Sequence, residues 1–261
     1  MHVVTLEPDC AKCVGLCCVA LPFRESHGFA FAKDAGEPCH NLGSGYGCTI
    51  HAVLRQQGMS GCTTYECFGA GQHVTQAVYA GGSWRDQDDS GEEMFAVFAV
   101  VQRLHEMLVL LDQAVALLPE LDVVRLRESI EGHTRGRPDQ ILDVELGELA
   151  GPVGDVLRSV SRSVRAPEGA AWSGHDLAGQ DLRGAALADA DLRGALLLAA
   201  DLRGASLTRT DLLGADLRDA DVSGADLSAA LFLTQPQLNA ARGSASTLLP
   251  AELRRPVAWS L

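Results

Sequence analysis

The sequence predicts a multidomain α+β protein in three parts: a small cysteine-rich module over residues 1–90, a helical region over 91–170, and a capped solenoid over 171–261. Three observations carry this. All eight cysteines fall within the first 67 of 261 residues. A long apolar stretch with almost no helix breakers follows from Glu92. From His175 onward the chain repeats every five residues.

The first part is rich in glycine and short of helical periodicity, as in NLGSGYGC and FGAGQ. Such a segment closes a core poorly with side chains alone and needs another source of stability. Its cysteines read C-x2-C-x3-C-C (Cys10, Cys13, Cys17, Cys18), then Cys39, then C-T-I-H from Cys48 to His51, then Cys62 and Cys67. Disulfides call for an oxidising compartment, and the N-terminus MHVVTLEPDC has no basic region followed by an apolar stretch and a cleavage site. Free buried thiols acting as small hydrophobes fit badly with four cysteines in nine residues of polar, glycine-rich context. Metal binding is the remaining reading: C-x2-C turns two thiolates toward one ion, and Cys48-x2-His51 repeats the spacing with a nitrogen ligand. Thiolate-rich sites select zinc or iron–sulfur clusters. The neighbours Cys17 and Cys18 cannot share two corners of one tetrahedron without strain, so they point to two zinc centres or one multinuclear cluster. The expected ligands are Cys10, Cys13, Cys17, Cys18, Cys39, Cys48, Cys62 and Cys67, with His51 as a further candidate.

The stretches CAKCVGLCC, PCHNLGSGYGCTIH (Pro38 to His51) and GCTTYECF (Gly61 to Phe68) resemble the zinc- or iron-chelating CxxCxxCC family. That family includes flagellin lysine methylases whose cysteines hold an iron–sulfur cluster, so the resemblance implies a metal or cluster on these cysteines. The present chain departs from it in two places. Val14, Gly15 and Leu16 make three residues between cysteines where the family has two, and His51 with its following loop replaces a Tyr and an Arg-Pro. Methylase activity is not carried over.

In the second part, EEMFAVFAVVQRLHEMLVLLDQAVALLPE has acids at its start and a proline just past its end. Phe95, Phe98, Val101, Leu104, Leu108, Leu111 and Val115 lie along one stripe, and apolar residues extend beyond it, so the helix is expected to be buried between neighbours. Shorter helices are expected around LDVVRLRESI and PDQILDVELGELAGPVGDVLRSVSRSV. The longest uninterrupted apolar run, Met94 to Val101, is too short to span a bilayer.

In the third part, twelve consecutive five-residue units run from HDLAG to ALFLT. Their third position is Leu in every unit except those of Val222 and Phe232, and their first is Ala in nine of the twelve. A period of five fits neither a helix nor an alternating strand and indicates a solenoid. The segment resembles the pentapeptide-repeat family, A-(D/N)-L-x-x. That resemblance implies a right-handed quadrilateral β-helix of four units per coil, about three coils here, with the central Leu and the Ala of the first position pointing inward. Both ends of so short a solenoid need covers. The segment from Thr234 onward is suited to one end, and His175 and Gln180 suit a rim at the other. Four units per coil stacks Asp181, Asp201 and Asp221 beside Arg183 and Arg203 on one face. It also gathers Leu196, Leu198, Leu213, Leu231 and Leu233 on the outside of two adjoining faces. An outward apolar patch has a partner, either the chain's own helices or a second copy in a homodimer. The whole arrangement is similar to a group of actinobacterial pentapeptide-repeat proteins.

The net charge of −13 is spread along the chain, and no segment has the basic footprint of a phosphate binder. Direct nucleic-acid binding and membrane insertion are not expected, and a cytoplasmic location is. FGAGQ lacks the strand–turn–helix setting and the Lys-Ser/Thr of a phosphate loop. His73 reads as a lone exposed histidine, His105 as a satisfied helix histidine, and Glu66 as a solvated acid near the cysteines. No separate catalytic constellation stands out. The expected function is a non-enzymatic metal-binding scaffold that recruits a protein or peptide. A metalloenzyme or redox protein is the alternative, and a DNA-mimicking topoisomerase modulator ranks last.

Overall fold

A computed structural model of the chain describes residues 4–260. The chain folds as two compact units, Met1–Val156 and Leu157–Leu261.

The first unit is built on helices. They are α1 (Leu16–Ala20), α2 (Ser60–Thr64), α3 (Ala70–His73), α4 (Glu92–Leu117), α5 (Val124–Thr134) and α6 (Pro138–Leu142). A final helix, α7 (Leu146–Val164), begins in this unit and ends in the next. The start of α4 is held by Asp89, whose carboxylate accepts the backbone N–H groups of Gly91 and Glu93. That arrangement satisfies donors a helix N-terminus leaves unpaired and places negative charge at the positive end of its dipole. Helices α1, α3, α5 and α6 all pack on α4, burying Met94, Val97, Phe98, Val101, Leu104, Leu108 and Leu111. Phe95 and Val115, expected in the stripe, are half-buried.

An 18-residue window of α4 has a mean hydropathy of 1.7, and by length and composition α4 could cross a membrane. Apolar residues resume at Leu104 after Gln102 and Arg103, and at Met107 to Leu111 after His105 and Glu106, so the helix is more apolar than its longest pure run suggests. Half of that window is buried inside the chain.

In the second unit, parallel bridges join residue i to i+20, from Ala171–Asp191 through Asp211–Leu231. One coil therefore takes four pentapeptides. In each unit the second residue makes the bridge and the third, central side chain turns inward. The chain then rounds a corner: Leu177 O, for example, accepts from Gln180 N at 3.2 Å. The fifth residue occupies the left-handed region, as Gly179 (φ 65), Gly194 (φ 63) and Gly204 (φ 67) do. That conformation costs glycine nothing and explains the x-x-Gly ending of so many units. The central residues Leu187 to Leu227 and the alanines at the first position form one buried core.

The repeat starts one unit earlier than its leucine period suggests. Residues 170–174, AAWSG, hold Trp172 at the central position, and Trp172 N and Gly174 N donate to Asp191 O and Arg193 O in the same ladder. At the far end the ladder continues through Asp221–Arg242 and Asp226–Leu248, and α8 (Gln235–Ala240) brings Leu238 into the core with Trp259. Thr234 and Gln237 form a capping box at the start of α8, with Pro236 in its first turn. His175 and Gln180 are both exposed, while Leu177 and Leu182 beside them are half-buried.

Candidate metal centre

The cysteines come together through three short connections. In the first, Cys10 begins a tight turn in which Cys13 N donates to Cys10 O at 3.3 Å. That loop is tied to the segment after α3: Val14 N donates to the Thr75 hydroxyl, which donates to Gly71 O. Gly69, with φ 76, starts the segment, and a Cβ there would lie 2.2 Å from Thr5 O. A Cβ on Gly71 would lie 2.7 Å from Cys13 Sγ, so only glycine lets the backbone beside Cys67 approach that thiol. In the second connection, Cys39 N donates to Cys18 O at 2.9 Å, and Cys48 bridges Leu42. In the third, α1 carries Cys17 and Cys18 side by side, their sulfurs 4.0 Å apart.

Packing sorts the thiols into two neighbourhoods. Cys13, Cys17 and Cys67 pack on the core of Val14, Leu16, Phe98 and Val101. Cys18, Cys39, Cys48 and Cys62 pack on a separate core of Phe23, Leu54 and Met59. Electrostatics follows this sorting except at Cys10, which packs on neither core and feels both Cys13 and Cys18. Burial pushes the Cys62 thiol up to about 12, and the charges of Cys18, Cys39 and Cys48 add to it. Burial likewise raises Cys13, with Cys67 adding to it, and raises Cys10, whose thiolate neighbours are Cys13 and Cys18. At the junction, the Cys17–Cys18 contact raises Cys17 and lowers Cys18. The result is a Cys10, Cys13, Cys17, Cys67 set and a Cys18, Cys39, Cys48, Cys62 set, which meet at Cys17 and Cys18.

Backbone N–H groups point at the sulfurs. Asn41 N donates to Cys39 Sγ at 3.4 Å, and the backbone N–H groups of Gly15 and Leu16 near Cys13, and of Gly69 and Gly71 near Cys67, pull those thiols down against the burial that raises them. Such bonds favour the thiolate over the thiol. In the described residues no group of three or more His, Cys, Asp or Glu side chains is arranged to hold a metal ion. The donor chemistry and the N–H···S bonds suit a thiolate-bound metal, and the thiols would have to draw inward to close on one. His51 is exposed at the start of a single helical turn after Cys48.

Two residues near the thiols were not singled out by the sequence pattern. Lys33 is 6% exposed, and its ammonium donates to Val19 O, Leu21 O and Asp34 O while lying 4.6 Å from the Phe23 ring centroid. Its signal is the alternation Phe29, Phe31, Lys33, which turns all three toward Phe23. Tyr65 is the other; burial raises its phenol, with the charges of Cys17 and Cys67 adding to it. His73 is not a lone exposed histidine. Its Nε2 lies 2.8 Å from Thr134 O and its ring packs edge-on to His105 at 5.0 Å. His105 is bonded at Nδ1, but its buried Nε2 has no hydrogen-bond partner among the described residues. Glu66 accepts from Phe68 N and bears on Cys10 and Cys67.

The coil register of the second unit has its counterpart among known proteins. Pentapeptide repeats, in eight copies, match residues 168–197 and 198–232. A protein of Bacillus subtilis (strain 168), "Uncharacterized protein YybG", is 51% identical over 269 residues, covering 97% of this chain and 95% of that one. The chain belongs to the pentapeptide-repeat family. Among solved structures, this pentapeptide-repeat protein is similar to Rfr23 of the cyanobacterium Cyanothece 51142, with 27% identity and a TM-score of 0.23. That match covers 30% of this chain and 56% of Rfr23, so it spans little more than half of the solved chain. It is also similar to alr5209 of Nostoc PCC 7120, at 24% identity over 36% of this chain and 93% of that one, with a TM-score of 0.12.

The outward leucine patch of this pentapeptide-repeat protein is smaller than its sequence implies. Leu231 and Leu233 are fully buried, Leu233 within the core that holds Leu238 and Trp259. Leu213 is half-buried, and only Leu196 and Leu198 stay well exposed, at 47% and 39%. The unit of Leu231 to Leu233 is the last of the repeat, where the chain leaves the coil with Phe232 at φ 55 and turns into the cap. Leu231 keeps the regular bridge position on Asp211, which is equally buried, while Leu233 turns into the cap core.

Proposed function

We propose that this pentapeptide-repeat protein is a metal-binding scaffold, with two thiolate-ligated centres in its first unit and a protein-docking solenoid in its second. The sorting of eight cysteines into two sets of four carries the reading. Four thiolates are the complement of a structural zinc ion or of an iron–sulfur cluster. A metal would supply the cross-linking that so glycine-rich a segment lacks, and a reducing compartment such as the cytoplasm keeps the thiols available for it. On the solenoid, Leu196 and Leu198 are the side chains offered to a protein or peptide, or to a second copy.

A metalloenzyme or redox role is the second reading, favoured by Cys10, which is exposed and gives its set a face open to solvent. DNA mimicry ranks below both. Arg183, Arg193, Arg203 and Arg218 each pair with the aspartate of their own unit, so the acids make no continuous anionic face.

The test is metal analysis of the full chain purified anaerobically, with titration of its native thiols. Zinc at about two equivalents in a colourless protein supports the scaffold. Iron with visible absorption supports the redox reading. Eight freely titrating thiols in a folded, metal-free protein rule out both.

A further inference from the structure

We propose that Lys33 is a built-in counter-cation for the Cys18 set, so that this set keeps its metal under conditions that strip the Cys10 set. This rests on the reading that each set holds a metal. The Lys33 ammonium is buried, is held in place by three carbonyl oxygens, and bridges back to Phe23, which packs with Cys18, Cys39, Cys48 and Cys62. Its charge acts most on Cys39 and Cys18 and least on Cys17, the one member of the other set that it reaches. Glu37 is the acid nearest in effect to Lys33 and also holds Asp34 N, while Arg24 is engaged by Asp34 and by the carbonyls of Phe23 and Lys33. The other set has the opposite surroundings. Asp9 and Glu66 bear on Cys10, and Glu66 on Cys67; the nearby cation, Lys12, is exposed and paired with Asp9 at 2.9 Å.

The sign follows from charge balance. When four thiols bind a divalent ion they release four protons, and the site passes from neutral to a net double negative charge. A fixed buried cation stabilises that product and adjacent carboxylates oppose it, while burial keeps solvent from screening the cation. Lys33 does this without ligating: its three donors are taken by backbone carbonyls.

The experiment loads the full chain with zinc anaerobically and withdraws it with increasing chelator. Alkylation of each cysteine is followed by mass spectrometry and expressed as protection relative to the metal-free chain, which removes differences in exposure. In the wild type, protection of Cys10, Cys13, Cys17 and Cys67 is expected to vanish at about tenfold lower chelator than that of the other four. Lys33→Gln should close that gap, and Lys33→Arg should keep it. Simultaneous loss of protection at all eight cysteines in the wild type overturns the proposal, as does a gap that survives Lys33→Gln. Should Lys33→Gln fail to fold, the wild-type order and Lys33→Arg decide, because an Arg variant without the gap also overturns it. A chain that takes up no zinc at all fails the metal reading itself, which is a different result from two centres of equal strength.

Discussion

The sulfurs of Cys17 and Cys18 lie 4.0 Å apart, yet the two residues face different sets of thiols. Adjacent positions on the short helix α1 send one side chain toward Val14 and Phe98 and the other toward Phe23 and Met59. The pair is thus the seam between the two sets.

Single substitutions should separate them. Cys17→Ser and Cys18→Ser are each expected to lower bound metal from about two equivalents to about one, and the double variant to abolish it. Mass spectrometry under native conditions reads the stoichiometry. If either single variant loses all metal, the centres are one cluster.

The buried His105 sets an acid limit on the first unit. Its Nδ1 lies 2.7 Å from the carbonyl of Phe68, the residue after Cys67. Burial holds the imidazole near a pKa of about 4, against 6.5 when unfolded; the Phe68 carbonyl opposes this and His73 adds to it. Because the folded value is the lower one, the unfolded chain binds the extra proton between those pH values. The contribution is complete above about pH 6.5 and is lost as pH falls toward 4, at roughly 3 kcal/mol in total. Urea melts of the first unit across this range should show that loss, and His105→Gln should flatten it.

Leu202 tests the solenoid core. It is completely buried, and the central residues of the same face in the coils before and after it are Leu182 and Val222. Leu202→Ala should cost about 2–5 kcal/mol, since the stacked coils above and below leave little room to collapse into the cavity. Leu196→Ala, at an exposed position, should change the melting temperature little.

Asp189 ties the end of α7 to the coil. Its carboxylate accepts from Arg209 on the next coil and from Ala166 N, and its backbone oxygen accepts from Arg165. Asp189 also sits at φ 62, a left-handed position that Asn adopts at less cost than Ala. Asp189→Ala should therefore destabilise the second unit by about 2–3 kcal/mol, and Asp189→Asn by less. Hydrogen exchange at Ala166 N should speed up in step.

The period of five, the inward Leu and Ala, the long helix α4 and the segregation of cysteines could all be read from residue types, because each is a local periodicity or spacing. Trp172 escaped notice because it breaks the leucine period while keeping the hydrogen-bond register. The fate of Leu233 depended on the exit into the cap, which no period encodes.

Only the tertiary structure decided which thiols meet. Cys67 joins Cys13 because glycine at position 71 lets two distant segments touch, and Cys39 joins Cys18 through a backbone hydrogen bond across 21 positions of chain. It also decided that Lys33, a lone basic residue in FAKD, is buried closer in effect to Cys39 and Cys18 than to Cys17. Periodicity tells which way a side chain faces along its own segment. Which charges and thiols it then faces is set by how distant segments pack, and that information is not local.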